Sequence, residues 1–336
     1  MAVKVLVTPR TFGKSDAVPL TMLHEAGCEI ISNPYGRALS EDEMIQLVQD
    51  VDGVIVGLDP MTKRVLEQAS RLRAISKYGV GINNIDVEYA TRRGIMVTNT
   101  PGANSASVAE LTIGLLLAVC RRICASDRGI RRGIWRQYLG LQLEGKTIGI
   151  IGTGQIGKKV AEGARGLGMN VICSDIYPDH DWAVRSGAVY TTFSELISQA
   201  DFISLHVPLE NETYHLISHE ELAQMKPSAI VVNTARGGII DEVALHDALV
   251  SNRIAGAALD VFEDESLEGC PLLTLENVVL TSHIGAHTQE AVQTMGRLAV
   301  FNLLQCLAGA VPDSIINKMA GDCCSGVGLG PDVGTH

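Results

Sequence analysis

Short, unbroken runs of aliphatic residues recur along the chain: Val3–Val7, Gly53–Val56, Ala74–Ser76, Met96–Thr98, Ile148–Ile151, Asn170–Ser174, Phe202–Leu205, Ile230–Asn233, Ala255–Leu259 and Val278–Leu280. Runs of this length, apolar at successive rather than alternate positions, read as strands buried on both faces. Helical stretches separate them, and the alternation predicts βαβ units and parallel sheets. Ser107-Val-Ala-Glu110 has capping-box spacing before an apolar run, which predicts a connector helix reaching about Ile123. A second box, Ser218-His-Glu-Glu221, predicts a helix that Lys226-Pro227 ends. After His283, apolar residues at helical spacing predict a long helix over about 290–308. From Ala320 the sequence is glycine-rich without periodicity and reads as disordered.

Composition narrows this picture. At 336 residues the chain is long enough for two domains. Aromatics make up only 4%, so the cores must be built from Val, Ile, Leu and Ala. The net charge is −11, and no Lys/Arg stripe interleaved with aromatics occurs, which argues against nucleic acid and anionic membranes as partners. The N-terminal segment enters a strand directly, and the longest apolar stretch, Leu111–Cys120, is too short to span a bilayer. A cytoplasmic protein is expected. The eight cysteines show no Cys-x-x-Cys spacing and read as free thiols; Cys120 and Cys124 share a helical face without further ligands, and Cys323-Cys324 lies in the tail.

The most specific motif lies mid-chain. Ile148–Ile151 runs into Gly152-Thr-Gly-Gln-Ile-Gly157, followed by a helix from about Gln155. Gly152 permits the tight turn, Gly154 lets backbone approach a pyrophosphate, and Gly157 lets the helix pack close to its strand. Phosphates sit favourably on the unpaired amides at such a helix start. Asp175 ends the next strand, where a carboxylate accepts hydrogen bonds from both ribose hydroxyls and repels a 2′-phosphate. Strand, glycine triplet, helix and spaced acid together predict NAD, and select it over NADP.

Three further side chains follow strands, where ligand crevices form in open α/β sheets. Arg236, in Asn233-Thr-Ala-Arg-Gly-Gly, can clamp a carboxylate and polarise an adjacent carbonyl. A structural ion pair with Asp241 or Glu242 is the alternative. His283, in Ser282-His-Ile-Gly, is the natural acid/base for delivering a proton to a ketone as hydride arrives. The His283/His287 spacing is metal-like, but the Glu of a His-Glu-x-x-His helix is absent and Gly285 intervenes, so no metal is expected. A carboxylate from the acidic run Glu263, Asp264, Glu265 and Glu268 could hold the imidazole protonated and fix its tautomer; spacing alone does not choose among them, and a solvated loop is the alternative. Asp260 could receive the nicotinamide carboxamide.

The ordered motifs Gly79-Val-Gly-Ile-Asn-Asn-Ile-Asp86, Asn99-Thr-Pro101, Gly152-x-Gly-x-x-Gly157, Asn233-Thr-Ala-Arg-Gly237, Ala258-Leu-Asp-Val-Phe262 and His283-Ile-Gly285 carry a resemblance. Over about residues 3–316 the chain resembles the NAD-dependent D-isomer-specific 2-hydroxyacid dehydrogenases, most of all the D-3-phosphoglycerate dehydrogenases. The resemblance implies an α/β fold of two Rossmann-like, doubly wound domains. Its substrate domain would be discontinuous and flavodoxin-like, residues 1–100 with 286–318. Residues 101–285 would bind NAD, and 319–336 would be a flexible tail. Substrate would bind between the domains, which close to exclude water.

Position by position, the resemblance implies that Arg236 binds the carboxylate and carbonyl, that His283 is the proton donor in reduction, and that Glu265 is its partner. Gly79, Val80 and Gly81 would offer backbone amides to the carboxylate, with Lys77, Tyr78 and Asn104 nearby. Gln155, Ile156, Asp175, the His206-Val207-Pro208 turn, Thr234, Ala235, Asp260 and Gly285 would line the NAD, together with the glycine triplet, Arg236 and His283. Relatives pair through the cofactor domain, implying a homodimer.

The sequence departs from the family in two places. Ser266 stands where Pro commonly follows the catalytic Glu, which changes loop stiffness more than chemistry. Phosphoglycerate dehydrogenases usually carry an Arg just after the strand ending near Val56, and here Val56-Gly-Leu-Asp-Pro60 offers Asp59 instead, with Lys77 as the basic position kept. The expectation is therefore reduction of a small, non-phosphorylated 2-keto acid, with phosphoglycerate oxidation as the alternative. An NADH-sensing binding scaffold is the alternative from another class, and long partner-binding extensions would favour it.

Overall fold

The computed structural model describes residues 2–317; the expected flexible tail, 319–336 with Cys323 and Cys324, lies outside the described residues. The chain divides into two units, one of residues up to Pro101 with those from Val292 onward, the other Gly102–Ala291. The return at Val292 falls within the helix Gln289–Leu307, later than the expected residue 286. The cause is local. Ile284 and Gly285 donate their amides to Asp260, and Ser107 Oγ donates to the Gly285 carbonyl, so the stretch after His283 stays with the second unit.

In the first unit, β1 (Val3–Val7), β2 (Cys28–Ser32), β3 (Gly53–Val56), β4 (Ala74–Lys77) and β5 (Met96–Thr98) form a parallel sheet in the order β2-β1-β3-β4-β5. Successive side chains go to opposite faces. Leu6, Val54 and Ile75 pack under Met44 and Leu66, while Val5, Ile55 and Ala74 pack under Leu23 and Leu303. Both faces are covered, which is why these strands read as continuous apolar runs. Each fully buried side chain of this size contributes roughly 1.5–3 kcal/mol. The sequence did not announce β2, because Glu29 and Ser32 break its apolar run on the sheet edge.

The second unit carries β6 (Thr147–Ile151), β7 (Asn170–Ser174), β8 (Val189–Tyr190), β9 (Phe202–Leu205), β10 (Ile230–Asn233), β11 (Gly256–Leu259) and β12 (Val278–Leu280), all parallel, in the order β12-β11-β10-β9-β6-β7-β8. Ile203, Val231 and Ala257 face one apolar layer, and Ile150, Val232 and Ala258 the other. At two residues, β8 is too short for any periodicity to reveal. The strand order reverses direction between β6 and β9, and in the first unit between β1 and β3. The carboxyl ends of those strands are where α/β sheets bind ligands.

The connector helix differs from expectation at both ends. It spans Ser105–Cys120 with Asn104 at its N-cap, so Ser107 is not a cap; its hydroxyl lies within the first turn and donates to the Gly285 carbonyl at 2.6 Å. The chain then breaks at Arg122, whose φ of 53° is left-handed, before a second helix, Ile123–Arg131. The Ser218 box forms as expected, with Glu221 accepting the Ser218 amide at 3.0 Å before the helix His219–Gln224. Among the described residues no helix is long and apolar enough to cross a membrane.

Candidate active site

The glycine turn sits at the carboxyl end of β6, at the reversal point of the larger sheet. Gly152 has φ 89°, and a Cβ there would stand 2.6 Å from the His206 carbonyl oxygen. A Cβ on Gly157 would stand 2.0 Å from the Gly152 oxygen, so no other residue lets the helix Gln155–Gly166 start this close to its strand. Gly154 differs: a Cβ there would meet nothing within 4 Å. The space above the helix start, with Gln155 and Ile156 in its first turn, is thus open to a phosphate. The His206 amide donates to the Ile151 carbonyl at 2.7 Å, which holds the His206-Val207-Pro208 turn beside Gly152. Burial pushes the His206 imidazole down to about 3, so it is neutral at working pH, with Nε2 2.8 Å from Ser204 Oγ.

Asp175 ends β7 and turns toward that glycine loop. Its Oδ2 accepts from the Thr153 amide at 2.5 Å and the Thr153 hydroxyl at 2.9 Å, and its Oδ1 accepts from the Tyr177 amide at 2.8 Å. Burial alone would raise this carboxyl; the donors of Thr153, Tyr177 and Ile176 outweigh it and leave the group below its ordinary value.

At the end of β10, Asn233 staples the loop that carries Arg236. Its Oδ1 accepts from the Ala235 amide at 3.0 Å and its Nδ2 donates to the Arg236 carbonyl at 2.8 Å. Thr234 is buried, with its hydroxyl 2.8 Å from that of Thr112. Arg236 Nη1 donates to the Ala235 carbonyl at 2.5 Å. Burial lowers the guanidinium from its ordinary value, and the charge of Glu265 acts the other way. Asp241, one of the acids weighed as an ion-pair partner, instead caps the next helix by accepting the Val243 and Ala244 amides. Glu242 accepts the Glu263 amide at 2.7 Å. A Cβ on Gly237 would stand 1.8 Å from the Phe262 carbonyl, so the Arg236 loop lies directly against the segment leading to Glu265.

His283 follows β12 and has φ 54°, a strained conformation for a residue with a side chain. What holds it there is Asp260, at the end of β11. Three successive amides converge on this one residue: His283 N on its carbonyl at 2.9 Å, Ile284 N on Oδ1 at 2.8 Å and Gly285 N on Oδ2 at 2.8 Å. The Thr281 hydroxyl adds a fourth bond, to Oδ1 at 2.6 Å. Asp260 is 1% exposed, so the residue expected to receive a carboxamide is also the buried anchor of the histidine loop. Of the acidic run, Glu265 is the member that meets the imidazole, Oε1 lying 2.6 Å from His283 Nδ1. Glu263 lies against His215, and Asp264 accepts the Ser266 amide. His287 Nδ1 lies 3.1 Å from the His283 carbonyl, and among the described residues no group of three or more His, Cys, Asp or Glu is placed to hold a metal.

The expected substrate residues of the first unit, and Asp59 beside them, are held by neighbouring groups. Asp59 does not present its charge to a ligand: it is 3% exposed, with Oδ2 accepting the Thr8 hydroxyl and Oδ1 the Leu39 amide at 2.8 Å. Thr8 and Gly57 end the two strands at the first unit's reversal point, and the carboxylate is drawn in to tie them to residue 39. Lys77 is also buried, with Nζ donating to the Gly57 carbonyl and to Asn84 Oδ1 at 2.7 Å. The Gly79 amide is committed to Thr100 Oγ1 at 3.0 Å, and the Val80 carbonyl to Asn99 Nδ2 at 2.8 Å. The Tyr78 hydroxyl donates to the Val292 carbonyl at 3.1 Å. In the second unit, Asn104 Oδ1 is buried without a hydrogen-bond partner among the described residues; turning the amide over presents an N–H donor there instead. Sequence reasoning missed Thr153, Tyr190, Asn233 and Ser107, whose roles depend on contacts made only after folding.

Comparison with known proteins agrees with this geometry. The family model described as D-isomer specific 2-hydroxyacid dehydrogenase, NAD binding domain, matches residues 113–285. A glyoxylate reductase of Thermococcus litoralis is 44% identical over 311 residues, covering 88% of this chain and 94% of that protein. A D-3-phosphoglycerate dehydrogenase of Methanocaldococcus jannaschii is 42% identical over 303 residues, which cover 88% of this chain and 58% of that longer protein. Among solved structures, the TT0316 protein from Thermus thermophilus superposes with a TM-score of 0.85 at 37% identity, covering 94% of this chain and all of the other.

Proposed function

Since the chain belongs to the D-isomer specific 2-hydroxyacid dehydrogenase family, we propose that it interconverts a small D-2-hydroxy acid and its 2-keto acid with NAD. The observation that carries the reading is the group formed by the loops after three strands: the Arg236 loop lies against the segment leading to Glu265, and Glu265 is bonded to His283. Bound at the β6 turn, NADH supplies the hydride. Arg236 holds the substrate carboxylate and polarises the carbonyl. With Nδ1–H donated to Glu265, His283 gives its proton from Nε2 to the carbonyl oxygen, and the resulting neutral imidazole keeps its bond to Glu265. Oxidation runs the same steps backwards.

The substrate is a small, non-phosphorylated 2-keto acid. The reason is narrower than the sequence suggested. Asp59 is buried and does not repel a phosphate, but Gly57-Leu58-Asp59 supplies no cation and the Lys77 ammonium is turned onto Gly57 and Asn84. A screen of NADH oxidation with glyoxylate, pyruvate, hydroxypyruvate, oxaloacetate, sulfopyruvate and phosphohydroxypyruvate tests this. We expect a non-phosphorylated acid to give the highest kcat/KM. Gly57→Arg should improve phosphohydroxypyruvate selectively, since a Cβ at Gly57 meets only ordinary contacts at 3.5 Å. If phosphohydroxypyruvate leads the screen, the phosphoglycerate reading replaces this one. No turnover on any acid would favour the scaffold.

The protein works as a cytoplasmic homodimer paired through the NAD-binding unit. Supporting this, the segment 123–141 exposes Ile123, Ile130, Ile134, Trp135 at 85% and Leu139 at 97%, apolar surface of the kind partners cover. Sedimentation should give a dimer that Leu139→Glu converts to monomer. A monomeric parent protein would refute the pairing.

A further inference from the structure

We propose that Thr153 and Tyr190 are positioning residues that set the choice between NADH and NADPH by locking the carboxylate of Asp175. The inference rests on the reading of Asp175 as the ribose-facing acid, and it concerns residues outside the glycine triplet and the catalytic group.

The hydrogen-bond directions are fixed by chemistry. A carboxylate only accepts, so the Thr153 hydroxyl must give its hydrogen to Asp175 Oδ2, 2.9 Å away. Thr153 Oγ1 also lies 2.6 Å from the Tyr190 hydroxyl, and with its own hydrogen committed it can only accept there. Tyr190 is therefore the donor, and its oxygen accepts the Asp179 amide at 3.0 Å. The chain of bonds thus runs one way, from Asp179 N–H through Tyr190 and Thr153 to Asp175. Its far end is anchored, because Asp179 caps the helix His180–Ser186 through the Trp182 amide at 2.9 Å and pairs with Lys158. The Tyr190 ring is gripped edge-on by His180 and Trp182, at centroid distances of 5.5 and 6.4 Å.

The consequence for the cofactor follows from which oxygen is occupied. Oδ2 holds both Thr153 donors, leaving Oδ1, which accepts the Tyr177 amide, as the oxygen available to a ribose hydroxyl. Held this way the carboxylate cannot swing, and its charge stays where a 2′-phosphate would have to sit. Once released, it can rotate away from the phosphate and binds the ribose less well. Loss of the chain should thus weaken NADH and ease NADPH, whereas a purely structural role in the turn would harm both alike.

The test is steady-state kinetics with NADH and NADPH, using the best keto acid, on the parent protein and on Asp175→Ala, Thr153→Val, Thr153→Ser and Tyr190→Phe. The parent should favour NADH by about tenfold or more, and Asp175→Ala should narrow that ratio. Thr153→Val and Tyr190→Phe should each lower the NADH:NADPH ratio of kcat/KM by about threefold to tenfold, the yield of one ordinary hydrogen bond, with the change carried by KM. Thr153→Ser, which keeps the hydroxyl, should retain the ratio. Tyr190→Phe keeps the ring packing and separates the bond from the fold. An unchanged ratio in both Thr153→Val and Tyr190→Phe, or an equal fall in Thr153→Ser, would overturn the proposal. If Asp175→Ala itself leaves the ratio unmoved, the reading of Asp175 fails and the proposal with it, so that variant tells the two failures apart.

Discussion

Replacing His283 with alanine is expected to lower the turnover of keto-acid reduction by roughly two to four orders of magnitude, the usual yield of a positioned general acid. NADH binding, followed by quenching of protein fluorescence, should change little, because the proposed phosphate and ribose contacts lie on the β6 turn and Asp175. Glu265→Gln is the sharper probe. It preserves the size of the side chain at 2.6 Å from Nδ1 and removes its charge. The amide oxygen can still accept the Nδ1 hydrogen, so the variant separates the charge from the bond. Turnover of keto-acid reduction should fall by about tenfold or more, the yield of one charge-assisted bond, with NADH affinity little changed. Turnover equal to the parent's would remove Glu265 from this role and return the question to Glu263 and Asp264, which the structure turns toward His215 and Ser266.

Arg236→Lys should cost about two to three orders of magnitude in kcat/KM for the keto acid, comparable to losing one oxyanion donor. The charge is kept, so a large loss isolates the guanidinium's planar, two-pronged geometry. That geometry depends on the Asn233 staple, which fixes the loop before any ligand arrives. Lysine is also shorter of donors for holding a carboxylate while reaching the carbonyl. Steady-state kinetics on the best substrate, beside NADH affinity, checks this. A fully active lysine variant would mean that Arg236 acts as a simple counter-charge.

Most of the frame and the strand-end places of the candidate site residues could be read from the chain, and the exceptions have physical causes. Strands buried on both faces announce themselves as apolar runs, so ten of the strands were legible; β2 and β8, at sheet edges, were not, because edge positions tolerate Glu29 and allow a strand of two residues. Ser107 fits a capping pattern, yet the helix begins at Ser105, since a local pattern cannot foresee that its hydroxyl will meet Gly285 across the fold. Asp59 shows the same limit for charge: the residue type tells the sign of a group, while the direction in which it points is a tertiary fact. Arg236, His283 and Asp175 were legible because each follows a strand, where backbone geometry leaves little choice of place.

The two groups that flank the proposed proton donor are mounted very differently. His283 is aimed by Asp260, a residue 1% exposed that gathers three consecutive amides, one on its carbonyl and two on its carboxylate, whereas the Glu265 side chain is half exposed on a loop of the surface. Where the imidazole points and what charge stands beside it are consequently separable properties. Substitutions in the 263–268 loop can change that charge while the imidazole's aim stays fixed, which makes the loop the place to vary turnover without disturbing the Asp260 anchor.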